Sequence, residues 1–157
     1  MIMDDDIRFM QEAIKEAEKS LENGEIAVGA VAVCGGKVIA RAGNERERTQ
    51  DPTAHAEVLA IRRAALALGR RRLSDVTLYV TLEPCPMCAG AVNAARIGRL
   101  VFGAYDTLRG CAGSVYRLTE DPCMEWFCPA EGGAEKEKCA RILKESIGTN
   151  TRSGKMG

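Results

Sequence analysis

The sequence predicts a three-layer α/β/α sandwich built around a mixed central sheet. Two observations support this fold class: short β-rich runs alternate with helical patterns, and the first two runs are separated only by a pair of glycines. Alternating strands and helices place helices on both faces of a sheet, whereas a hairpin adds an antiparallel pair. The length of 157 residues suits one domain with a sizeable core.

The first elements are a helix and a hairpin. Apolar residues recur at steps of three and four over residues 5–22, after a run of aspartates, which predicts a helix. Residues 26–33 and 37–42 are rich in β-formers, and Gly35-Gly36 between them favours a tight turn. We therefore expect a helix followed by two antiparallel strands.

The next stretch predicts a loop, a helix and a strand. Residues 43–52 are polar and show no periodicity, so we expect a loop there. A helix is predicted over residues 53–68, with Thr53 placed to cap its start and Gly69 to end it. Residues 76–82 are rich in β-branched side chains and predict the third strand.

Pro84 and Pro86 bracket the start of a third predicted helix, which runs to about residue 97. Proline is tolerated in a first helical turn because the amides there lack intrahelical partners. A short buried strand is predicted over residues 100–103, followed by a glycine-containing loop over residues 105–117.

The C-terminal part predicts an edge strand, a helix and a tail. Residues 126–130 fit a fifth strand, which Pro129 limits to the edge of the sheet. A last helix is predicted over residues 135–146, and the small polar residues after it predict a flexible tail. We therefore expect a single domain over residues 1–147 and a tail over residues 148–157.

The neutral total charge hides an uneven distribution. The chain carries 22 basic and 22 acidic residues, which argues at first against a nucleic-acid partner. Residues 26–118, however, hold 13 basic and 7 acidic residues, a net charge of +6, between an acidic start and a nearly neutral end. Candidates for phosphate contact in this segment are Arg46, Arg48, Arg70, Arg71, Arg72, Arg96, Arg99, Arg109 and Arg117.

The chain is predicted to be cytoplasmic, without a membrane partner. No apolar run approaches the roughly 20 residues that a bilayer requires, and the acidic start differs from a secretory signal. Since cytosolic thiols are kept reduced, seven cysteines favour metal binding or catalysis over a disulfide framework. Only Cys85 and Cys88 stand at ligand spacing. The others are interpreted as small buried apolar side chains: Cys34, Cys111, Cys123, Cys128 and Cys139.

One histidine and two cysteines form a candidate zinc site. His55, the only histidine, opens one predicted helix, while Cys85 and Cys88 open the next. Cysteines three residues apart at a helix start share a face, and the helix dipole favours their thiolate form. Two thiolates and one imidazole suit Zn²⁺ and leave a fourth position open, as in catalytic sites. Glu57 is the candidate acid-base group, provided that the site lies within the first helical turn.

Taken singly, these residues have other interpretations: a capped histidine, a redox cysteine pair, and a carboxylate that balances a helix dipole. Together, His-x-Glu and Pro-Cys-x-x-Cys form the signature of the zinc deaminases. The flanking runs at residues 51–58, 78–91 and 96–104 resemble the bacterial tRNA adenosine deaminases. The resemblance covers roughly residues 5–143.

The resemblance implies a cytidine deaminase-like fold and a homodimer that converts the wobble adenosine of a tRNA anticodon to inosine. It implies one Zn²⁺ per chain, with Glu57 as the proton shuttle and three metal ligands: His55, Cys85 and Cys88. By position, Asn44 and the backbone at Ala54 would contact the flipped-out base or its ribose, and Asp106 would lie against the nucleic-acid backbone. Glu83 also lies in a matching run, where we interpret it as support for the third helix start.

Three departures from the family pattern bear on the substrate. Ala27 replaces the usual proline, and Glu125-Trp126 replaces an Asn-His pair. At the end of the last helix, residues 146–148 replace paired phenylalanines followed by basic residues. The change at Ala27 is expected to be minor. All three changes leave the zinc chemistry intact, but the last one removes the expected grip on the anticodon stem.

Two alternatives stay open. A deaminase of a free base or nucleoside, such as guanine, cytosine or cytidine, would use Trp126 or Tyr105 as a stacking wall. Trp126 has a second interpretation as a core or dimer-interface residue. A zinc-stabilised binding module without catalysis would leave Glu57 without a role and the open zinc position unexplained.

Overall fold

Five strands form one mixed sheet at the centre of the fold. The computed structural model describes residues 1–152, with side chains through residue 148. The strands are β1 (Gly29–Cys34), β2 (Lys37–Gly43), β3 (Val76–Leu82), β4 (Arg99–Ala104) and β5 (Ala130–Gly132). They lie in the order β2-β1-β3-β4-β5; β1 is antiparallel to β2 and β3, while β4 is parallel to β3 and β5. The predicted α/β fold with a mixed sheet is confirmed.

Helices cover both faces of this sheet: α1 (Asp4–Glu22), α2 (Arg46–Thr49), α3 (Ala56–Leu68), α4 (Pro86–Ala95) and α5 (Lys136–Arg152). Because side chains alternate along a strand, Leu78 and Val80 pack with α3 and α4, whereas Tyr79 between them packs with α1 and α5. In the part of the chain that the structure describes, no helix is both long and apolar enough to cross a membrane.

The predicted loop over residues 43–52 contains the short helix α2, and α3 begins later than predicted. Thr53 does not cap α3, because its N–H and its hydroxyl both donate to Asp51 Oδ1, at 2.8 and 2.7 Å. This local turn competes with the helix and moves its first residue to Ala56. His55 precedes the helix with an extended backbone, at φ −73° and ψ 149°.

The C-terminal part departs further from prediction. Residues 126–129 form no strand; Ala130–Gly132 pairs with β4 instead, at the edge of the sheet. Helix α5 continues to Arg152, because Gly148 does not adopt the left-handed conformation with which Gly69 ends α3. Residues 148–152 of the predicted tail are therefore helical, and its other residues lie outside the described part.

The end of α5 is tied to the segment that precedes β1. Ser146 is fully buried, and its hydroxyl accepts the Ala27 N–H at 2.9 Å and donates to Leu143 O at 2.6 Å. Ala27 lies at the centre of a γ-turn that the Val28 N–H closes on Ile26 O at 2.9 Å. The serine thus satisfies a donor that the proline usual at this position lacks.

We expect Ser146→Ala to lower the free energy of unfolding by about 1–3 kcal/mol, because the buried Ala27 N–H loses its acceptor. The same substitution is expected to cost less in an Ala27→Pro background, since proline has no N–H and its φ fits a γ-turn. Urea denaturation of the wild type, the two single variants and the double variant measures this coupling. Equal costs of Ser146→Ala in the two backgrounds would show that the bond contributes nothing.

A buried carboxylate joins α1 to β3 and β4. Asp6 is 2% exposed and accepts hydrogen bonds from the Met3 N–H, the Tyr79 hydroxyl and the Arg99 guanidinium at 2.7 to 3.0 Å. Burial opposes ionisation, but the bonds from Arg99 and the other donors outweigh it and lower the pKa of Asp6 to about 2. Because this pKa lies below the unfolded value of 3.8, the network stabilises the fold above about pH 4 and loses this contribution toward pH 2.

Asp6→Asn is expected to lower the free energy of unfolding by about 2 kcal/mol near neutral pH, the equivalent of the pKa difference. The gap between wild type and variant should close as the pH falls from about 4 to about 2, where the wild-type carboxylate takes up a proton. Asp5→Asn is the matched control, because Asp5 is exposed and pairs with exposed Arg8. A gap that stays constant over this pH range would exclude Asp6 as the titrating group.

Candidate active site

Two helix starts meet beside β3. His55 precedes α3, Cys85 precedes α4, and Cys88 lies in the first turn of α4. Pro86 occupies the first position of α4, where an N–H is not needed, so the chain turns into the helix soon after β3. His55 Nδ1 lies 3.7 Å from Cys85 Sγ and 3.4 Å from Cys88 Sγ. The structure thus brings the three predicted ligands together.

The separations fit a tetrahedral zinc ion. Bonds of about 2.3 Å to sulfur and about 2.1 Å to nitrogen place the two ligand atoms about 3.6 Å apart at the tetrahedral angle. Among the described residues, one group of His, Cys, Asp and Glu side chains is close enough to share an ion, and it consists of His55, Cys85 and Cys88. Three protein ligands leave one tetrahedral position for water or substrate.

The pKa values of the two cysteines are shifted in opposite directions. Hydrogen bonds from Cys88 and His55 lower the pKa of Cys85 to about 3, so this side chain is a thiolate at neutral pH. The hydrogen bond to Cys85, together with burial, raises the pKa of Cys88. A zinc ion held by these residues would take the place of the proton between the two sulfurs, and the positive end of α4 further favours the thiolates.

Glu57 lies beside this group in the first turn of α3. Its side chain is 4% exposed. Burial raises the pKa of Glu57 to about 7. On an ideal helix, positions 55 and 57 point about 200° apart. Because His55 has an extended backbone and precedes the helix, this ideal angle does not apply to the pair. The side chains of His55 and Glu57 line the same cavity, which we call the inner cavity.

Asn44 and Asp106 line the inner cavity from two different loops. Asn44 Oδ1 accepts the Arg46 N–H at 3.1 Å, which leaves the amide NH₂ group to donate to a substrate. Asp106 Oδ1 accepts the N–H groups of Leu108 and Arg109 at 3.0 Å, and its second oxygen can accept a further donor. Both residues that were predicted to contact the substrate therefore line the same cavity as Glu57.

Ala54 does not line the inner cavity. Its side chain is buried, its N–H donates to Asp51 O at 3.1 Å, and its C=O accepts the Glu45 N–H at 3.0 Å. The backbone atoms expected to meet a base are thus bonded within the loop itself. A substrate contact at Ala54 stays a prediction.

Two buried carboxylates hold the loops of the cavity, and neither role was predicted from the sequence. Glu25 accepts the N–H groups of Glu47 and Arg48 at 3.0 and 2.7 Å and so fixes α2. Glu83 does not support the third helix start; it accepts N–H groups of the 105–117 loop, from Asp106, Ala112 and Ser114. The signal in the sequence is weak, because a glutamate is normally exposed.

Trp126 packs against the end of α4. Its indole N–H donates to Ile97 O at 2.8 Å, its C=O accepts the Asn93 amide at 2.7 Å, and the Arg96 guanidinium lies 5.6 Å from its ring centroid. It lines neither the inner cavity nor the adjacent outer cavity, which is lined by Tyr105, Leu108, Leu143 and Ile147 among others. Of the two interpretations of Trp126, the structure therefore favours the core or dimer-interface residue over the stacking wall.

Comparisons with known proteins agree with this geometry. Residues 3–104 match the family described as the cytidine and deoxycytidylate deaminase zinc-binding region. A tRNA-specific adenosine deaminase from Bacillus subtilis is 48% identical over 141 residues, which are 90% of this chain and 88% of that protein. A solved structure from a study of A-to-I editing by tRNA:A34 deaminases at the wobble position is 44% identical, with a TM-score of 0.83 over 86% of this chain and 98% of the other.

A guanine deaminase from Bacillus subtilis has a related structure. It is 36% identical, with a TM-score of 0.61 over 78% of this chain and 81% of the other. The family match contains His55, Glu57, Cys85 and Cys88, and the tRNA-specific enzyme from Bacillus subtilis is 48% identical over 90% of this chain. The chain therefore belongs to the cytidine and deoxycytidylate deaminase family and, within it, to the tRNA-specific adenosine deaminases.

Proposed function

We propose that this chain is a zinc-dependent hydrolase that converts the wobble adenosine of a tRNA anticodon to inosine. The observation that carries the proposal is the cluster of His55, Cys85 and Cys88 next to a cavity that His55, Cys85 and Glu57 line, in a chain 48% identical to a tRNA-specific adenosine deaminase. Hydrolysis of a cyclic amidine requires an activated water and a group that moves protons. These four side chains meet both requirements.

His55 Nδ1 and the thiolates of Cys85 and Cys88 are the proposed ligands of one zinc ion per chain. Bound zinc would lower the pKa of a water molecule toward neutrality. Elemental analysis of protein purified without chelators is expected to give one zinc per chain. Metal-free protein that retains full activity would contradict this part of the proposal.

Glu57 is the proposed proton shuttle. Its carboxylate accepts a proton from the attacking water and delivers it to N1 of adenine, while the oxygen adds to C6. Glu57 then transfers the second water proton to the exocyclic nitrogen, which leaves as ammonia. Adenosine and water thus give inosine and ammonia, and the carboxylate returns to its starting state.

The substrate contacts proposed for this reaction lie in one proposed domain, whose boundary, predicted at residue 147, falls within α5 (Lys136–Arg152). We propose that the Asn44 amide donates to the base or its ribose, and that the second oxygen of Asp106 accepts from the nucleic-acid backbone; both residues line the inner cavity, which supports these roles. The contact at the Ala54 backbone rests on the family resemblance alone. We also propose a cytoplasmic homodimer on the same ground; light scattering should give the mass of two 16.9 kDa chains, and the mass of one would contradict it.

A second candidate is a deaminase of a free base. It is favoured by the likeness to a guanine deaminase and by the absence of aromatic and basic residues from positions 146–148. A panel that measures ammonia release from an anticodon hairpin, adenosine, guanine, cytosine and cytidine separates the two. Turnover of the hairpin is expected, and turnover of a free base alone would reverse the order of the two candidates.

A further inference from the structure

Most arginines of the basic segment already have partners in the structure. Among the described residues, each of the following pairs has nitrogen and oxygen atoms within 4 Å: Arg48 and Arg63 with Glu45, Arg70 with Asp75, Arg99 with Asp6, and Arg117 with Glu120. Arg96 stacks on Trp126 instead. These side chains already interact with carboxylates or with an aromatic ring of the same chain, so their charges are largely balanced before any ligand binds.

Arg46 and Arg109 have no such ion pair among the described residues, since no carboxylate there lies within 4 Å of either guanidinium. The same is true of Arg62, Arg71 and Arg72, which are exposed. The Nε of Arg46, in addition, is buried without a hydrogen-bond partner in the described part of the chain. A buried guanidinium donor without an acceptor is unfavourable, because its lost hydration is not replaced. An anionic ligand with several oxygens would supply the missing acceptor.

Arg46 and Arg109 also lie at the same position in the site, where the inner and outer cavities meet. Five residues line both the inner and the outer cavity, so the two cavities adjoin each other, and two of the five are arginines: Ile26, Arg46, Leu82, Asp106 and Arg109. Arg46 comes from the loop after β2 and Arg109 from the loop after β4, so they reach the junction from separate loops. Arg62, Arg71 and Arg72 line neither cavity.

We infer that Arg46 and Arg109 bind the phosphates next to the deaminated nucleotide of an RNA chain. This inference rests on the proposed function. With the base in the inner cavity beside Glu57, its sugar and flanking phosphates fall at the junction, because the chain must leave toward the open outer cavity. A free base would leave both guanidinium groups without an anion. The pair therefore selects a nucleotide within a phosphodiester chain.

The carboxylates around the junction do not oppose this assignment. Glu83 is saturated by three N–H donors of the 105–117 loop, and Asp106 uses one oxygen for the Arg109 N–H, which fixes the backbone that carries the arginine. The remaining Asp106 oxygen suits a hydroxyl donor, such as that of a ribose.

The test is steady-state deamination of an anticodon hairpin by Arg46→Ala, Arg109→Ala and the double variant, with Arg71→Ala as the control. Each single variant is expected to raise KM about tenfold, with kcat within about twofold, because the contact is equal in ground and transition states. The plot of log(kcat/KM) against the logarithm of the salt concentration has a negative slope, and this slope should become less steep by about 0.7 for each arginine removed. Arg46→Lys and Arg109→Lys should retain most of the slope, because the charge remains. Zinc content and Tm verify that each variant folds.

The outcomes separate the inference from the function on which it rests. Wild-type turnover of the hairpin, with KM and salt slope unchanged in both alanine variants, overturns the inference alone. A hairpin that the wild type does not deaminate overturns the proposed function and the inference together. An equal loss in Arg71→Ala would show a general charge effect and likewise overturn the assignment to this pair.

Discussion

Glu57→Ala is expected to reduce kcat for deamination by roughly 10²- to 10⁴-fold while zinc stays bound. The carboxylate is buried beside the Cys88 sulfur, but it is not one of the three clustered ligands. Its loss therefore removes proton transfer to N1 and to the leaving amino group without opening the metal site. Single-turnover kinetics and elemental analysis of the same preparation measure the two properties side by side.

Glu57→Gln is the matched control for shape. The amide fills the same buried space but cannot accept a proton, so it should be as inactive as the alanine variant. Wild-type turnover in either variant would exclude Glu57 as the shuttle. Loss of zinc in both would instead show that Glu57 acts through the metal site.

Cys88→Ala is expected to remove zinc as well as activity. One of three protein ligands is lost, and the remaining pair, His55 and Cys85, is too few to hold the ion tightly, so zinc content should fall below about a tenth of the wild-type value. Deamination should fall in proportion to the zinc lost. Zinc content close to that of the wild type would contradict the ligand set.

Cys128→Ala controls for the loss of a buried thiol. Cys128 is also fully buried, in the core cluster, and burial raises its pKa to about 12, so it keeps its proton. We expect unchanged zinc content and a stability cost of about 1 kcal/mol, because a small core side chain is truncated. Loss of zinc in this variant would mean that the ligand set had been assigned wrongly.

Much of the fold was predictable because burial sets the spacing of apolar residues. Strand β3 matches its predicted range, and α1 begins one residue earlier than predicted. The errors lie where polar side chains compete for backbone groups. The Asp51 carboxylate captures the Thr53 N–H and hydroxyl and so displaces the start of α3, which a propensity for capping does not reveal.

The metal ligands were predictable for a different reason. Cys85 and Cys88 are three residues apart, and their relation is local. His55 is 30 residues from Cys85, but each precedes a helix packed on the same face of the sheet, and the zinc chemistry itself calls for a third ligand. The family resemblance added the substrate, which spacing alone does not define.

The roles of Glu25 and Glu83 could not be predicted in this way, and neither could the distinction of Arg46 from the other candidate phosphate contacts. Each depends on which N–H groups or charges remain without partners once two loops have folded, and this is a property of the tertiary structure. The link between Ala27 and Ser146 spans 119 residues and appears in a single sequence only as two unrelated departures from a family pattern. In the structure, Ala27 supplies the N–H donor of this hydrogen bond and Ser146 supplies the hydroxyl acceptor.

Nucleoside analysis of an anticodon hairpin after incubation with the zinc-loaded enzyme tests the proposed activity most directly. The hairpin should carry inosine in place of the wobble adenosine, and its other adenosines should be unchanged. A second hairpin, in which only the wobble position is changed to guanosine, should yield no product. Intact wobble adenosine in the first hairpin, together with deamination of free guanine by the same enzyme, would contradict a tRNA adenosine deaminase.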